Sequence, residues 1–265
     1  MASYDDSTAS EHLQVALAAA RAAAAISKSY YAGNFSVTTK ADLTPVTQAD
    51  VECEQAIRDI VLERYPEHGF YGEETGRTQD DADYVWLVDP IDGTKGFVRQ
   101  YPFFSTQIAL LYHGEIILGV SSGTMMQELA WAEKSRGAWL NGTRLAVSDI
   151  DDPDRAAVST GNIGSLAKSV GWGSLGEILA RADRTRGYGD FYHYHLLASG
   201  KIEAVIESDV NILDIAALSV IVTEAGGVFT DLNGVRPNLN TRSVLAANKS
   251  LHGHYLQCLK GALDS

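Results

Sequence analysis

The sequence predicts a layered protein of the α/β (α+β) class. Helical segments alternate irregularly with short apolar strands, and tight turns such as His113-Gly114 and Asn141-Gly142 join neighbouring strands into hairpins. Hairpins mixed with helices favour stacked sheets and helices over a purely parallel sheet. The chain has 265 residues, which is enough for one large core or for two subdomains in close contact.

Two helices are predicted near the start of the chain. Residues 9–31 form an alanine-rich helix that Ser10 can cap, and Gln48 to Tyr65 forms a second helix with Val51 among its apolar positions. The segment between them, Thr38 to Pro45, is predicted to be a loop.

The remaining elements are predicted from apolar runs and turn signals. Strands are expected at Tyr84 to Val88, Ser105 to Tyr112, Glu115 to Ser121, Leu129 to Ala132, Gly137 to Leu140, Ala156 to Ser159, Ala204 to Ile206 and Val228 to Thr230. Helices are expected at Gly173 to Ala182, Tyr192 to Ala198, Asp214 to Glu224 (an amphipathic one) and about His252 to Leu263. Turn-forming acidic residues at Ser148 to Asp154 divide a single domain, 1–265, into halves of about 1–150 and 151–265.

Charge and composition argue against several classes of partner. With a formal net charge of −13, the chain has no basic field that would attract nucleic-acid phosphates. The longest apolar stretch, Leu13 to Ile26, contains Arg21 and is too short to span a bilayer. Cys53 and Cys258 lie far apart and form no CxxC, so we expect reduced thiols. The acidic N-terminus does not resemble a signal peptide, and we expect a cytoplasmic protein.

Three acidic clusters carry the predicted chemistry. They are Gly72-Glu73-Glu74, Asp89-Pro90-Ile91-Asp92-Gly93-Thr94, and Asp214 at a helix start. In the second cluster, Asp89 ends a buried strand and the proline turn lets Asp92 point back toward the same place. These carboxylates and the Ile91 carbonyl can converge on a hard cation, which prefers oxygen ligands. The amides of Gly93 and Thr94 can hold phosphate oxygens. Taken alone, this motif is also compatible with an ordinary capped turn.

Together, these clusters resemble the motifs of the inositol monophosphatase superfamily, in order and in spacing, over roughly residues 10–260. The stretch from Lys40 to Asp50 and the helix end Val222 to Gly227 match it as well. The segments Asp92 to Arg99 and Tyr188 to Phe191 are most similar to bacterial histidinol-phosphate phosphatases of that superfamily. The resemblance implies a layered αβαβα sandwich of the sugar-phosphatase (inositol monophosphatase/fructose-1,6-bisphosphatase) type, and a homodimer.

The resemblance also implies a role for each site residue, with Mg²⁺ (two or three ions) as the cofactor. Glu73, Asp89 and the Ile91 carbonyl bind one ion, and Asp89, Asp92 and Asp214 bind the second. Thr94 and Glu73 orient the attacking water, Asp50 supports Thr94, and the amides of Gly93 and Thr94 hold the phosphate. A metal-activated water then attacks phosphorus in line, without a covalent phosphoenzyme.

The resemblance further implies that the alcohol of the substrate contacts Asp190 and Glu207. Two carboxylates suit an amine or imidazole better than a neutral polyol, because a cation forms charge-assisted hydrogen bonds with them. We therefore expect a small phosphate monoester as substrate, with L-histidinol phosphate favoured and histidine synthesis as the setting. Inositol 1-phosphate is the nearest alternative, followed by a nucleoside 3′,5′-bisphosphate and by a non-catalytic metal-binding module. Asp190 has a competing role as a helix cap.

Two further motifs are interpreted as structural. Gly119-Val120-Ser121-Ser122-Gly123 matches the G-x-S-x-G pattern of serine hydrolases, but a second strand is predicted after it instead of a helix, and no acid and histidine partners are evident. His193 and His195 form an H-x-H pair. Residues two apart on a helix point to different faces, so both are predicted to be ordinary surface or core histidines.

Overall fold

The computed structural model describes residues 9–33, 37–39, 45–79 and 81–263. Its helices are α1 (Glu11–Tyr31), α2 (Gln48–Arg64), α3 (Thr94–Val98), α4 (Ile163–Leu166), α5 (Trp172–Arg181), α6 (Asp190–Ala198), α7 (Ile212–Glu224) and α8 (His252–Leu263). Its strands are β1 (Val37–Thr39), β2 (Pro45–Thr47), β3 (Gly69–Gly72), β4 (Gly76–Thr78), β5 (Tyr84–Asp92), β6 (Ser105–Tyr112), β7 (Glu115–Gly123), β8 (Glu128–Glu133), β9 (Gly137–Leu140), β10 (Thr143–Arg144), β11 (Ala157–Gly161), β12 (Arg184–Arg186), β13 (Ala204–Ser208), β14 (Val228–Thr230) and β15 (Ser243–Ala247).

Two large sheets form the framework. The first has eight strands in the order β10-β9-β8-β7-β6-β5-β3-β4, and the second has five in the order β12-β11-β13-β15-β14. Most neighbours in the first sheet are antiparallel, whereas β3 runs parallel to β5. The carboxyl ends of β3 and β5 therefore lie at the same edge of the sheet. This places the Glu73 turn next to the Asp89–Asp92 segment.

Three layers of helices complete the sandwich. Helices α1 and α2 pack on the outer face of the first sheet, α6 and α7 lie between the two sheets, and α5 and α8 cover the second sheet. The order helix, sheet, helix, sheet, helix confirms the predicted layered αβαβα sandwich. The first sheet uses strands between 69 and 144 and the second those between 157 and 247, and the division into halves stays a prediction.

The outer helices begin as the sequence predicts. The Ser10 hydroxyl accepts a hydrogen bond from the Leu13 amide (3.1 Å) and caps α1. Thr47 and Asp50 form a reciprocal capping box at the start of α2. Val51 was expected on the buried face of α2, but it is 51% exposed; the core positions are occupied by residues such as Cys53 and Ile57.

Helix α7 was predicted to be amphipathic, and this prediction is wrong. Ten of its 13 residues are buried, from Ile212 to Val222, because the helix lies between two sheets and contacts apolar side chains on both sides. A helix enclosed in this way needs apolar residues around its whole circumference. It also begins two residues before Asp214.

Several strands are not predicted by the sequence. The predicted loop Thr38 to Pro45 is bounded by β1 and β2, which pair antiparallel; residues 40–44, including part of the Lys40 to Asp50 match, lie outside the described residues. The inner strand β15 is flanked by polar turns and carries only five residues, too few for a periodic signal. Within the described ranges, no helix combines the length and apolar character that crossing a membrane requires.

Candidate active site

Three carboxylates meet where the first sheet and the middle helical layer come together. Asp89 and Asp92 occupy the carboxyl end of β5, and Asp214 lies in the first turn of α7. One carboxylate oxygen from each lies within 4.8 Å of the others. Asp89 is buried, and the other two are half-buried. The structure therefore brings together residues separated by more than a hundred positions.

The backbone around Asp89 is fixed by local hydrogen bonds. The Asp89 Oδ1 atom accepts from the Ile91 amide (3.0 Å), and the Thr106 hydroxyl donates to the Pro90 carbonyl (2.9 Å). Gly93 follows with a φ of 86°, and a Cβ there would lie 2.7 Å from the Phe103 carbonyl oxygen. Only glycine fits this left-handed, close-packed position. The chain then enters α3 at Thr94.

Asp214 is oriented by the start of α7. Its Oδ2 atom accepts from the Asn211 amide (2.8 Å), while the Asn211 side chain accepts from the Leu213 amide (3.2 Å). This capping box sets the direction of the carboxyl group from within the helix.

The cluster is electrostatically unfavourable without cations. Burial raises the pKa of Asp89 well above its usual value, and the charges of Glu73, Asp92 and Asp214 raise it further. The pKa of Asp92 is also well above its usual value, through burial and then the charges of Asp190 and Asp214. Burial is the main cause that brings the pKa of Asp214 to about 7. Carboxylates that repel one another in this way are stabilised by a bound cation.

Glu73 lies at the rim of the cluster. It is exposed on the turn between β3 and β4, and both its charge and a side-chain hydrogen bond with it raise the pKa of Asp89. The buried Glu54 holds this turn, since its carboxylate accepts from the amides of Glu74 and Thr75 (2.8 Å each). Glu54 was not among the predicted site residues, although a glutamate at a core position of α2 is a detectable signal.

Thr94 and Asp50 are connected by a side-chain hydrogen bond. The Thr94 hydroxyl oxygen lies 3.2 Å from Asp50 Oδ1 and 3.0 Å from the Ile91 carbonyl oxygen. The other Asp50 oxygen accepts from the amide (2.7 Å) and the hydroxyl (2.6 Å) of Thr47. Burial is the largest cause that raises the pKa of Asp50. Asp50 is thus buried and is held by Thr47 through Oδ2, while its Oδ1 atom faces Thr94.

Asp190 and Glu207 line an open pocket beside the cluster, together with Asp92, Asn162, Tyr194 and Asp214. Burial and the charge of Glu207 raise the pKa of Asp190 to about 6. Helix α6 begins at Asp190 itself, with Gly189 at the capping position and no side-chain hydrogen bond in the cap. Asp190 also has a positive φ of 47°, a conformation that costs energy for a residue other than glycine. The competing role of Asp190 as a cap is therefore absent from this helix start.

Glu207 is held through one of its two carboxylate oxygens. Its Oε2 atom accepts from the Tyr194 hydroxyl (2.7 Å) and lies 3.2 Å from His193 Nε2. The opposite oxygen lies over Gly161, where a Cβ would approach it to 1.9 Å. The His193 ring is in turn 3.2 Å from the Ser159 hydroxyl. His193 was predicted to be an ordinary histidine; it is buried, but it also orients a pocket residue.

The donor set fits a hard divalent cation. The cluster offers only oxygen atoms, and its ligand-bearing side chains are all carboxylates. The described residues that line the pocket include no lysine or arginine, so a phosphate group can enter only if cations offset the carboxylates. The observed residues are therefore consistent with the metal dependence that the resemblance implies.

The G-x-S-x-G segment is not a nucleophile elbow. Ser121 lies inside β7 and is fully buried, and the chain continues through one turn of 3₁₀-helix into β8. No partners for Ser121 are evident in the sequence, yet its hydroxyl oxygen lies 2.9 Å from His195 Nε2, and the other ring nitrogen of His195 is 2.7 Å from Glu128 Oε2. Without an exposed hydroxyl or a sharp turn, this trio has no route to substrate.

Comparison with known proteins gives the chain its class. Residues 8–263 match the model of the inositol monophosphatase family. A histidinol-phosphatase of Mycobacterium tuberculosis is 38% identical over 228 residues, covering 83% of this chain and 86% of the relative. An inositol-1-monophosphatase of Caulobacter vibrioides is 33% identical over 226 residues, which cover 82% of this chain and 88% of the relative. The crystal structure of the extragenic suppressor protein suhB from Bartonella henselae superposes with a TM-score of 0.87 at 28% identity. The superposition covers 95% of this chain and 99% of that chain.

The fold and the carboxylate site thus define a phosphatase of the metal-dependent class. The chain belongs to the inositol monophosphatase family.

Proposed function

We propose that the protein hydrolyses L-histidinol phosphate to L-histidinol and phosphate, with Mg²⁺ as its cofactor. The observation that carries this proposal is the pair Asp190 and Glu207 in the pocket beside the carboxylate cluster. The similarity to proteins named histidinol-phosphatase supports it. Such a substrate carries an amine and an imidazole, which the two carboxylates suit.

The metal ligands in this proposal are those that the sequence predicts. Glu73, Asp89 and the Ile91 carbonyl hold one ion, and Asp89, Asp92 and Asp214 hold another, with two or three ions in all. Bound Mg²⁺ would supply a water of lowered pKa and would offset charge on the phosphate. The proximity of the three aspartate oxygens supports this assignment.

Thr94, Asp50 and Glu73 have the task of orienting the attacking water. With its proton directed to Asp50, the Thr94 hydroxyl offers a lone pair that can accept a hydrogen bond from water. Asp50 is buried and held by Thr47, so it keeps that direction fixed. The amides of Gly93 and Thr94, which open α3, hold the phosphate oxygens in this proposal.

In this proposal, the pocket residues Asp190 and Glu207 recognise the alcohol part of the substrate. Because His193 and Tyr194 occupy Oε2 of Glu207, its Oε1 atom is available for a hydrogen bond from the substrate. Asp190 contributes the second carboxylate, close enough to Glu207 for their charges to interact. Two carboxylates repel each other in an empty pocket, and a cationic substrate group relieves this repulsion.

Two wider aspects are part of the same proposal. Similarity to the family supports a homodimer. The unpaired thiols of Cys53 and Cys258, and similarity to proteins named for histidinol-phosphatase activity, support a cytoplasmic location.

The direct test measures phosphate release by the purified protein with Mg²⁺, on L-histidinol phosphate and inositol 1-phosphate side by side at equal concentration. We expect kcat/KM to favour histidinol phosphate by about tenfold or more, the value of one charge-assisted hydrogen bond. Equal rates, or a preference for the inositol ester, would contradict the proposed substrate and leave the phosphatase class intact.

Inositol 1-phosphate is the second candidate, since inositol monophosphatases are among the most similar proteins and structures.

Asp190→Asn separates the two candidate substrates. Removing the charge should lower kcat/KM for histidinol phosphate about tenfold, because a charge-assisted hydrogen bond becomes a neutral one, and should change that for inositol 1-phosphate little. Asp183→Asn, which alters an exposed acid just before the same segment, is the matched control. If Asp190→Asn lowers both activities equally, Asp190 does not recognise the amine.

A further inference from the structure

A chain of buried hydrogen bonds leads away from Asp92. The Ser105 hydroxyl donates to Asp92 Oδ2 (3.1 Å), and Gln107 Nε2 lies 2.7 Å from the Ser105 oxygen and 3.0 Å from the Ser121 oxygen. Ser105, Gln107 and Ser121 are all fully buried. Asp92 is therefore connected, through two strands of the first sheet, to the serine of the G-x-S-x-G segment.

The chain continues into the middle helical layer and ends near solvent. His195 of α6 places Nε2 2.9 Å from the Ser121 hydroxyl and Nδ1 2.7 Å from Glu128 Oε2. The His195 side chain is 1% exposed, and that of Glu128 is 19% exposed. The hydrogen bond with His195 lowers the pKa of Glu128, which is therefore a carboxylate at neutral pH.

The sheet places these groups on one face. Side chains alternate along a strand, so Ser105 and Gln107 of β6 both point toward the middle layer, and Gln107 pairs directly with Ser121 of β7. Gly119 and Gly123 lie on the same face of β7, against Ala217 of α7 and the Phe191 ring of α6. Helix α6 can thus deliver His195 to Ser121 at close range.

The donors and acceptors fit one consistent direction. With Glu128 ionised, His195 donates from Nδ1 and accepts at Nε2 from the Ser121 hydroxyl. The Ser121 oxygen then accepts from Gln107, which also donates to Ser105, and Ser105 donates to Asp92. Each proton is committed to a single partner. The order of the bonds is therefore fixed from Glu128 to the Asp92 carboxylate.

Gln107 occupies an unfavourable position for a merely structural residue. Its side chain donates two hydrogen bonds from Nε2, to Ser105 and Ser121. Its buried Oε1 atom has no hydrogen-bond partner among the described residues. A buried polar atom without a partner destabilises the fold. The side chain therefore gains its two donor bonds at the expense of its acceptor.

We propose that Ser105, Gln107, Ser121 and His195 form a positioning relay that holds the Asp92 carboxylate in its metal-binding orientation. By occupying Oδ2, the relay turns the other oxygen of Asp92 toward the cation. None of the four residues touches substrate. This inference rests on the proposed metal site, and it assigns a role to one histidine and to the serine motif that the reaction itself does not use.

The first test measures metal affinity directly. Mn²⁺ binding is followed by electron paramagnetic resonance of the free ion, with Mg²⁺ added as a competitor, for the whole protein and its variants. Ser105→Ala and Gln107→Met should each weaken binding by about tenfold, as is typical when the partner of a metal ligand is removed. The control is Ser122→Ala, because Ser122 is a buried serine on the opposite face of β7 and should bind as the wild type does.

A pair of variants at His195 tests the relay at a distance from the metal. An asparagine amide can replace Nδ1 and keep the bond to Glu128, whereas a glutamine amide reaches the position of Nε2 and keeps the bond to Ser121. We expect His195→Asn to weaken Mn²⁺ binding about threefold to tenfold and His195→Gln to stay within about twofold of wild type. A merely structural role predicts no such difference between the two.

The outcomes separate this inference from the proposed function. Wild-type affinity in Ser105→Ala and Gln107→Met, with their folding verified by circular dichroism, would overturn the relay even if the protein hydrolyses histidinol phosphate. So would equal losses in the two His195 variants. Weakened binding in the relay variants, in a protein that proves inactive on both phosphate esters, would support the relay and contradict only the proposed substrate.

Discussion

Replacing Asp92 by asparagine is expected to lower the rate of phosphate release about a thousandfold and to leave the fold intact. Asp92 offers one of the three aspartate oxygens that lie within 4.8 Å of each other, and it is also the end point of the relay. An amide of the same shape keeps the packing but removes a charge that a divalent cation needs. Mg²⁺ should therefore no longer raise the melting temperature of the variant as it does for the wild type.

The direction in which Asp92→Asn changes the stability of the metal-free protein follows from the pKa of Asp92. Folding raises the pKa of Asp92, so near neutral pH its ionisation costs stability, and this cost increases as the pH rises toward the folded-state pKa. Asp92→Asn removes the cost, and its melting temperature without metal should be equal to or above that of the wild type. Asp149→Asn, at an exposed acid, should change neither quantity. Retained turnover in Asp92→Asn would refute the assignment of the metal site.

Replacing Thr94 by valine is expected to lower kcat about a hundredfold, with little change in KM. The hydroxyl lies between Asp50 Oδ1 and the Ile91 carbonyl, where it can orient a water for attack, and positioned groups of this kind contribute about 10²-fold or more. Valine has nearly the same shape, so the packing at the start of α3 is kept. Steady-state kinetics on histidinol phosphate at saturating Mg²⁺ provides the measurement.

Thr94→Ser is the matched control, because serine restores the hydroxyl without the methyl group. We expect it to recover most of the activity that valine loses. Equal losses in Thr94→Val and Thr94→Ser would mean that the methyl packing matters and the hydroxyl does not, which is contrary to the proposed role of Thr94.

The sequence predicts a feature well when its determinants are close together in the chain. Asp89 to Thr94 form a contiguous motif whose turn is set by a proline and a glycine, and the expected convergence of Asp89 and Asp92 is observed. The extent of α8, His252–Leu263, also follows from local signals. The fold class was predictable for the same reason, since most helices and hairpin strands have local signatures.

The features that were missed depend on residues far apart in the chain. The burial of α7 on all sides results from the two sheets that enclose it. The residue pattern within one segment carries no information about those sheets. His193 and His195 were interpreted as ordinary histidines because residues two apart on a helix point to different faces, and their partners, Glu207 and Ser121, lie 14 and 74 positions away. Glu54 acts on a turn 20 residues further on. Only the folded chain brings these pairs into contact.

The arrangement of the two sheets has a consequence for how this enzyme can be diversified. On the proposed roles, the groups that cleave the phosphate ester come mainly from the ends of β3 and β5, together with Asp214, whereas those that recognise the alcohol, Asp190 and Glu207, belong to α6 and β13. Apart from Asp214, which follows β13 closely, bond cleavage and substrate choice are thus encoded in separate stretches of the gene. Directed evolution toward a new leaving group can therefore randomise the codons of Asp190 and Glu207, and keep those of the first sheet, His195 and Asp214 unchanged.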